Sequence, residues 1–200
     1  MRSRALSIPG VWLLEPAVAR DTRGSFSEIY VERELRSIGL VGGAVQENRS
    51  LSTDRGVVRG LHFQIPPHAQ DKLVRVSRGS ILDVAVDIRA GSPTFGKYVA
   101  TLLSAQNQLQ LWVPKGFAHG LCTLEPDTEV LYKVTDYYAP DCERGVRWND
   151  PDVAIDWPIA AGDIVLSPKD ARLPRLAELL PYFRYDGARD AWSRRAPSTQ

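Results

Sequence analysis

Along most of the chain the apolar positions recur at every second residue. In Ile81 to Ile88, Leu82, Val84, Val86 and Ile88 share one parity while Asp83 and Asp87 take the other. That is the pattern of a half-buried antiparallel strand whose polar face can border a cavity. Thr128 to Thr135 alternates in the same way, with Thr128, Val130, Tyr132 and Val134 on one side. Shorter runs predict strands at Leu6 to Leu13, Ala44 to Ser50, Val57 to Gln64, Leu73 to Ser77, Lys97 to Leu103 and Leu109 to Val113. Turn signals separate them at Arg78-Gly79-Ser80, Ala90-Gly91-Ser92-Pro93 and Glu125-Pro126-Asp127. Helical periodicity is confined to Val31 to Ile38, with Gly39 as its stop, and to Arg175 to Leu180. Many short strands with a few short helices predict an all-β sandwich, jelly roll or barrel.

No repeat and no linker interrupts the stretch from Ile8 to Phe183. Residues 1–185 therefore read as a single domain, and the polar stretch 186–200 as a flexible C-terminal tail. A chain of 200 residues has room for one core, and its 44% hydrophobic and 24% charged content is that of a folded globular protein. Lys and Arg number 25 against 24 Asp and Glu, a net charge of +1, which supplies no global field for nucleic acid or an anionic membrane. No apolar run approaches the roughly 18 residues of a membrane span, and Met1 to Ile8 has no apolar signal core. Cys122 and Cys142 form neither a disulfide framework nor a zinc spacing. The expectation is a cytoplasmic protein with no nucleic-acid or membrane partner.

Candidate chemistry starts with the three histidines, His62, His68 and His119. His62 lies in Val58-Arg59-Gly60-Leu61-His62-Phe63-Gln64 and His119 in Pro114-Lys115-Gly116-Phe117-Ala118-His119-Gly120, both near glycines where backbone can approach a ligand. Read singly, each is better explained as a buried, hydrogen-bonded core histidine, and His68, after Pro66-Pro67, as a solvated loop residue. Metal-binding β-barrels of the cupin type present His-x-His, and here Gln64 stands where the second histidine belongs. A neutral amide replaces imidazole poorly on a transition metal, so no metal is expected. Lys72, Tyr132 and Lys169-Asp170 add ionisable groups suited to proton transfer. Spacing alone does not bring Asp170 to His62, and by itself Asp170 reads better as a turn or cap residue.

A series of blocks resolves this. Asp21-Thr22-Arg23-Gly24-Ser25-Phe26-Ser27-Glu28 resembles a D-x-R-G-x-F-x-E segment. It is followed by Gln46-Glu47-Asn48, Arg59-Gly60-Leu61-His62-Phe63-Gln64, Ala69-Gln70-Asp71-Lys72, Pro114 to Gly120, Tyr137-Tyr138 and Ser167-Pro168-Lys169-Asp170. In this order, over Ile8 to Arg172, the blocks resemble the dTDP-4-dehydrorhamnose 3,5-epimerases. Glu47, Ser25 and Ser27 depart from the usual family residues.

The resemblance implies a cupin-type jelly roll (a double-stranded β-helix), working as a homodimer without cofactor or metal. It implies a dTDP-4-keto-6-deoxyhexose substrate whose C4 ketone acidifies the protons at C3 and C5, and a step of dTDP-L-rhamnose biosynthesis for cell-surface polysaccharide. His62 would be the base and Asp170 its orienting partner, Lys72 the group facing the enolate oxygen and Tyr132 the acid on the opposite face. Arg59 would meet the diphosphate and Tyr138 stack on thymine. Arg23, Phe26, Glu28, Gln46, Glu47, Asn48, His119, Glu143 and Lys169 match further substrate contacts, with Arg23 and Glu28 acting across the dimer. The plainer readings are that Arg23 and Glu28 form only an interface ion pair and that Tyr138 is ordinary core. At the level of the whole protein the alternatives are a monofunctional epimerase or ketoisomerase of this fold, a non-catalytic sugar-nucleotide-binding cupin, and a metal-dependent cupin oxygenase.

Parity sets one structural condition. Arg59 and His62 have opposite parity, so a regular strand would send them to opposite faces. Both can serve one ligand only if Gly60 bends or bulges the strand, or if Arg59 precedes its regular part.

Overall fold

In the computed structural model, which describes residues 1–40 and 43–187, strands are the main regular element as far as Gly145, and loops and single 3₁₀ turns follow. They are β1 (Arg2–Ala5), β2 (Trp12–Glu15), β3 (Val18–Asp21), β4 (Gly24–Ser27), β5 (Gln46–Ser52), β6 (Val58–Gln64) and β7 (Lys72–Arg78). Six more follow: β8 (Ser80–Asp87), β9 (Tyr98–Ser104), β10 (Gln110–Val113), β11 (Phe117–Thr123), β12 (Thr128–Val134) and β13 (Glu143–Gly145). One sheet has the order β1-β2-β10-β7-β12-β5, a second β13-β6-β11-β8-β9, and β3-β4 stands apart as a hairpin. All the strand pairs are antiparallel.

The two large sheets enclose one core, because Val74, Val76, Leu111 and Val130 of the first pack with Ile81, Ala85, Leu103, Phe117 and Leu121 of the second. This is the expected all-β, cupin-type jelly roll. The outer face of the second sheet is also covered, by Leu176, Tyr182 and Phe183 over Val84, Val86 and Ile88. The outer face of the first carries Leu35, from the short helix α1 (Glu32–Ser37), against Trp12, Leu14 and Trp112. Most predicted strands lie within one or two residues of their observed limits, the usual uncertainty of an element's end.

Four expectations need correction. Leu6 to Leu13 is not one strand: residues 6–11 form the tip joining β1 to β2, and only Trp12 and Leu13 belong to β2. Pro9 has no N–H for a ladder, Gly10 turns at φ +99°, and Leu6 N–H donates to Val11 O at 3.0 Å to close the loop. The strand at Ile81 to Ile88 is buried on both faces rather than one, since it has a neighbouring strand on either edge and a covering layer on each face. Its two aspartates are enclosed and paired inside the protein: Asp87 holds Arg89, Ser92 and Thr94, and Asp83 holds His119. Arg175 to Leu180 makes only the single 3₁₀ turn Leu176–Glu178. Strand β11 was absent from the periodicity because all seven of its residues are buried, leaving no polar alternation to read. Of the supposed tail, residues 188–200 lie outside the described residues.

The parity condition is met by a bulge. His119 pairs with His62 and Leu121 with Arg59, so a two-residue step on β11 faces a three-residue step on β6. Arg59 and His62 thereby become the two least buried residues of β6. Gly60 sits in the bulge at φ +108°, and a Cβ there would lie 2.7 Å from the His119 carbonyl oxygen and 3.0 Å from Gly120 Cα. Backbone, not a flexible side chain, stands in the way. We expect Gly60→Ala to lower stability by about 2–3 kcal/mol, measured by urea unfolding; wild-type stability in this variant would mean that the bulge does not depend on the glycine.

Candidate active site

A cleft of about 260 Å³ opens between the sheets and is lined by Gln46, Asn48, His62, Lys72, Tyr132, Tyr138 and Glu143, with Phe63, Gln64 and Gln70 completing its wall. A larger apolar hollow of about 320 Å³, bordered by Ile88, Phe95, Leu179 and Phe183, shares no residue with it, and Tyr182 is the one ionisable side chain in its lining.

His62 enters from β6, in the second sheet. Its Nε2 lies 2.7 Å from Asp170 Oδ1, and the other oxygen of Asp170 accepts the Gly60 N–H at 3.0 Å. Asp170 opens a 3₁₀ turn, Asp170–Arg172, but its side chain is spent on His62 and Gly60; the Asp170 N–H donates to Ser167 Oγ. Burial pushes the Asp170 carboxyl up, but the hydrogen bonds from His62 and Gly60 outweigh it and the net shift is downward. An ionised carboxylate only accepts, so the neutral His62 ring carries its proton on Nε2 and keeps a lone pair on Nδ1. No protein group among the described residues takes that lone pair.

Lys72 and Tyr132 come from the first sheet. Tyr132 on β12 pairs with Asn48 of β5 on one side and Val74 of β7 on the other, which places Lys72 diagonally beside it. Lys72 Nζ reaches across to donate to the His62 carbonyl oxygen at 3.2 Å. Burial lowers its pKa to about 8, against the opposing pull of Asp83 and Glu143. The Tyr132 phenol is pushed upward, chiefly by burial, with Arg59 acting against it and Glu143 with it. Its hydroxyl has no hydrogen-bond partner among the described residues.

Around this group the other candidates divide. Tyr138 donates its hydroxyl to Glu143 Oε2 at 2.7 Å, and Lys169 Nζ meets the same oxygen at 2.5 Å. Burial raises the Glu143 carboxyl, but Lys169 and Tyr138 more than offset it and hold it low. Tyr138 is 54% exposed, which removes the reading of it as core. Gln46 and Asn48 face the cleft and bond each other at 2.7 Å, whereas Glu47 between them points the other way, to Lys133 at 3.0 Å. Arg59 leans along β5, donating to Ser52 Oγ and the Leu51 carbonyl at 3.1 Å each. His119 is buried behind His62 with Nε2 2.8 Å from Asp83 Oδ1, and does not line the cleft. Arg23, Phe26 and Glu28 lie on or just beyond the exposed β3-β4 hairpin, where Arg23 pairs with Asp21 at 2.6 Å and Phe26 is 72% exposed. None of the three lines the cleft of its own chain.

Sequence reasoning passed over Asp83 as the partner of His119, and Gln64 and Gln70 as cleft residues. Gln64 was within reach of it, since it shares parity with His62 two residues away. Among the described residues no group of three or more His, Cys, Asp or Glu is placed to hold a metal ion, and both cysteines are free, Cys122 with its thiol pushed up to about 11 by burial.

An imidazole with an open ring nitrogen oriented by a carboxylate, a phenol on the facing sheet and a lysine that reaches the main chain of the histidine suit proton abstraction and return beside a carbonyl. Comparison with known proteins points the same way. A dTDP-4-dehydrorhamnose 3,5-epimerase of Sinorhizobium fredii is 50% identical, over 92% of this chain and 94% of its own. That of Escherichia coli is 51% identical over 86% of this chain and 93% of its own. The crystal structure of a dTDP-6-deoxy-D-glucose-3,5-epimerase from Legionella pneumophila, in complex with dTDP-4-keto-L-rhamnose, superposes with a TM-score of 0.87 at 41% identity, covering 92% of this chain and all of that one. The family model for dTDP-4-dehydrorhamnose 3,5-epimerase matches residues 5–178, and with these relatives it shows that the chain belongs to the dTDP-4-dehydrorhamnose 3,5-epimerase family.

Proposed function

We propose that this protein is an isomerase that inverts C3 and C5 of dTDP-4-dehydro-6-deoxy-D-glucose to give dTDP-4-dehydro-L-rhamnose. The observation that carries the reading is the placement of base and acid on opposite sheets. His62 Nδ1 offers a lone pair from the second sheet, and the Tyr132 hydroxyl faces the same cleft from the first. A proton removed from one face of the sugar and replaced from the other inverts the carbon; a single group would return it where it left. His62 takes the proton made acidic by the C4 ketone, Lys72 stabilises the enolate oxygen that forms, and Tyr132 protonates the opposite face. Asp170 holds His62 in the required tautomer.

Tyr138, Glu143 and Lys169, at the mouth, serve the nucleotide, Tyr138 by stacking on the base and Arg59 by meeting the diphosphate. Gln46 and Asn48 are substrate contacts, and Glu47 and His119 support the site from behind it. The exposed hairpin with Arg23, Phe26 and Glu28 completes the cleft of a second copy, which makes the working form a homodimer. Sedimentation should then give twice the mass of one chain. No helix among the described residues is long and apolar enough to cross a membrane, and the reading places the enzyme in the cytoplasm.

The deciding experiment is proton NMR of the substrate with the enzyme in D₂O. Deuterium at both C3 and C5 is expected. Exchange at one carbon would reassign the protein as a monofunctional epimerase, and exchange at neither would overturn the reading.

Lys72 gives a pH prediction. Only its ammonium form can neutralise an enolate, and that form is lost as pH rises through about 8. Tyr132, shifted upward, stays protonated over this range. We expect kcat/KM to fall on the alkaline side with a midpoint near the Lys72 pKa of about 8. Lys72→Arg, whose guanidinium stays charged, should move that limb to higher pH. An alkaline limb unchanged in Lys72→Arg would assign it to another group.

A further inference from the structure

We propose that Gln64 is a positioning residue that fixes the aromatic arm Asp136–Ala139, and with it Tyr138, at a set distance from His62. Gln64 is 5% exposed at the end of β6, on the same face as His62. Its Nε2 donates to the carbonyl oxygens of His68 at 2.6 Å and Tyr137 at 3.1 Å, and its Oε1 accepts the Ala139 N–H at 2.8 Å. Two other cleft glutamines reach the same arm. Gln70 Nε2 donates to Asp136 O at 2.8 Å, and Gln46 Oε1 accepts the Tyr138 N–H at 3.1 Å. Four consecutive residues thus have a main-chain group held by a glutamine side chain, where a strand would hold it by a backbone ladder.

The residue type follows from that task. The arm and the His68 loop present two carbonyl oxygens and one N–H, and a carboxamide is the side chain that offers donors and an acceptor together. A glutamate would set a carboxylate against two carbonyl oxygens, and a leucine would leave three backbone groups without partners. In metal-binding cupins this position carries a ligand; here it is occupied by a group that ties the nucleotide end of the cleft to the strand bearing the base. Tyr137 and Tyr138, 64% and 54% exposed, have little packing of their own to place them. The arm's main chain therefore takes its position from these bonds, to which the Tyr138 hydroxyl adds its bond to Glu143.

The proposal rests on the reading of Tyr138 as the nucleotide platform, and a double-mutant cycle separates the two. Gln64→Leu, Tyr138→Ala and the double variant are compared by KM for the dTDP-sugar, by kcat at saturation and by melting temperature. Gln64→Leu is expected to raise KM about tenfold or more, the effect of losing hydrogen bonds that hold one contact, with kcat within about threefold. In the Tyr138→Ala background the same substitution should change KM less than about twofold. If Gln64→Leu does not fold, Gln70→Leu, which loosens the arm at Asp136, is put through the same cycle with the same expectation of non-additivity. An unchanged KM, a fall in kcat alone, or full additivity with a raised KM in Tyr138→Ala overturns the positioning role while leaving Tyr138 in place. An unchanged KM in Tyr138→Ala itself overturns the nucleotide role of Tyr138 and this proposal with it.

Discussion

His62→Ala should abolish deuterium incorporation at C3 and C5 together, lowering both by about 100- to 10,000-fold while the protein stays folded. In the proposed mechanism both exchanges depend on the same lone pair, and among the described residues the nearby candidates for a second base are engaged: His119 is buried against Asp83, and Glu143 is held by Tyr138 and Lys169. Asp170→Asn should be nearly as damaging, for a reason visible in the backbone. The Gly60 N–H points at Asp170 Oδ2 and needs an acceptor. An asparagine must therefore turn its oxygen to Gly60 and its NH₂ to His62. Nε2 then has to accept, and the ring proton moves to Nδ1, the atom that must be empty to act as base. The variant is expected to keep its KM and lose kcat, as when an orienting carboxylate is replaced in a catalytic triad. Proton NMR in D₂O reads both variants. Exchange at the parental rate in His62→Ala would remove this residue from the chemistry, and an active Asp170→Asn would remove the tautomer argument.

The sequence made the β-fold legible wherever a strand had one wet face or a turn residue at its end. Thr128 to Thr135 shows both its alternation and the orientation of Tyr132, because Val130 and Val134 carry the same parity into the core. Where burial was two-sided, as in β11, the alternation that would announce a strand is absent. The opposite parity of Arg59 and His62 was informative because it conflicts with a regular strand, and the bulge at Gly60 is the resolution. Parity also foretells that Glu47 faces away from Gln46 and Asn48, which motif matching does not see. Contacts between residues far apart in the chain stay hidden: nothing in the spacing joins His62 to Asp170 across 108 positions, and only family resemblance supplied the pair. The hairpin bearing Arg23, Phe26 and Glu28 does not line the cleft of its own chain, and no pattern within one chain could place it.

On the proposed mechanism, removing the Tyr132 hydroxyl should separate two events, proton exchange and inversion, that the intact enzyme couples. Tyr132→Phe keeps the ring, which packs against the core, and deletes only a hydroxyl that has no protein partner among the described residues, so the fold is expected to survive. His62 and Asp170 are untouched, and His62 can still remove the proton at C3 or C5. With no donor on the far face, the proton on His62 exchanges with D₂O and returns from the side it left. Deuterium should then enter without inversion, while epimerisation falls by about 100- to 10,000-fold. The sign of this result is specific to the two-sided arrangement. If Tyr132 served only to bind substrate, exchange and inversion would fall together and KM would rise. If solvent supplied the second proton, inversion would persist in the phenylalanine variant. Label entering with retention is the outcome that ties the facing sheets, one carrying the base and the other the acid, to the stereochemistry of the product.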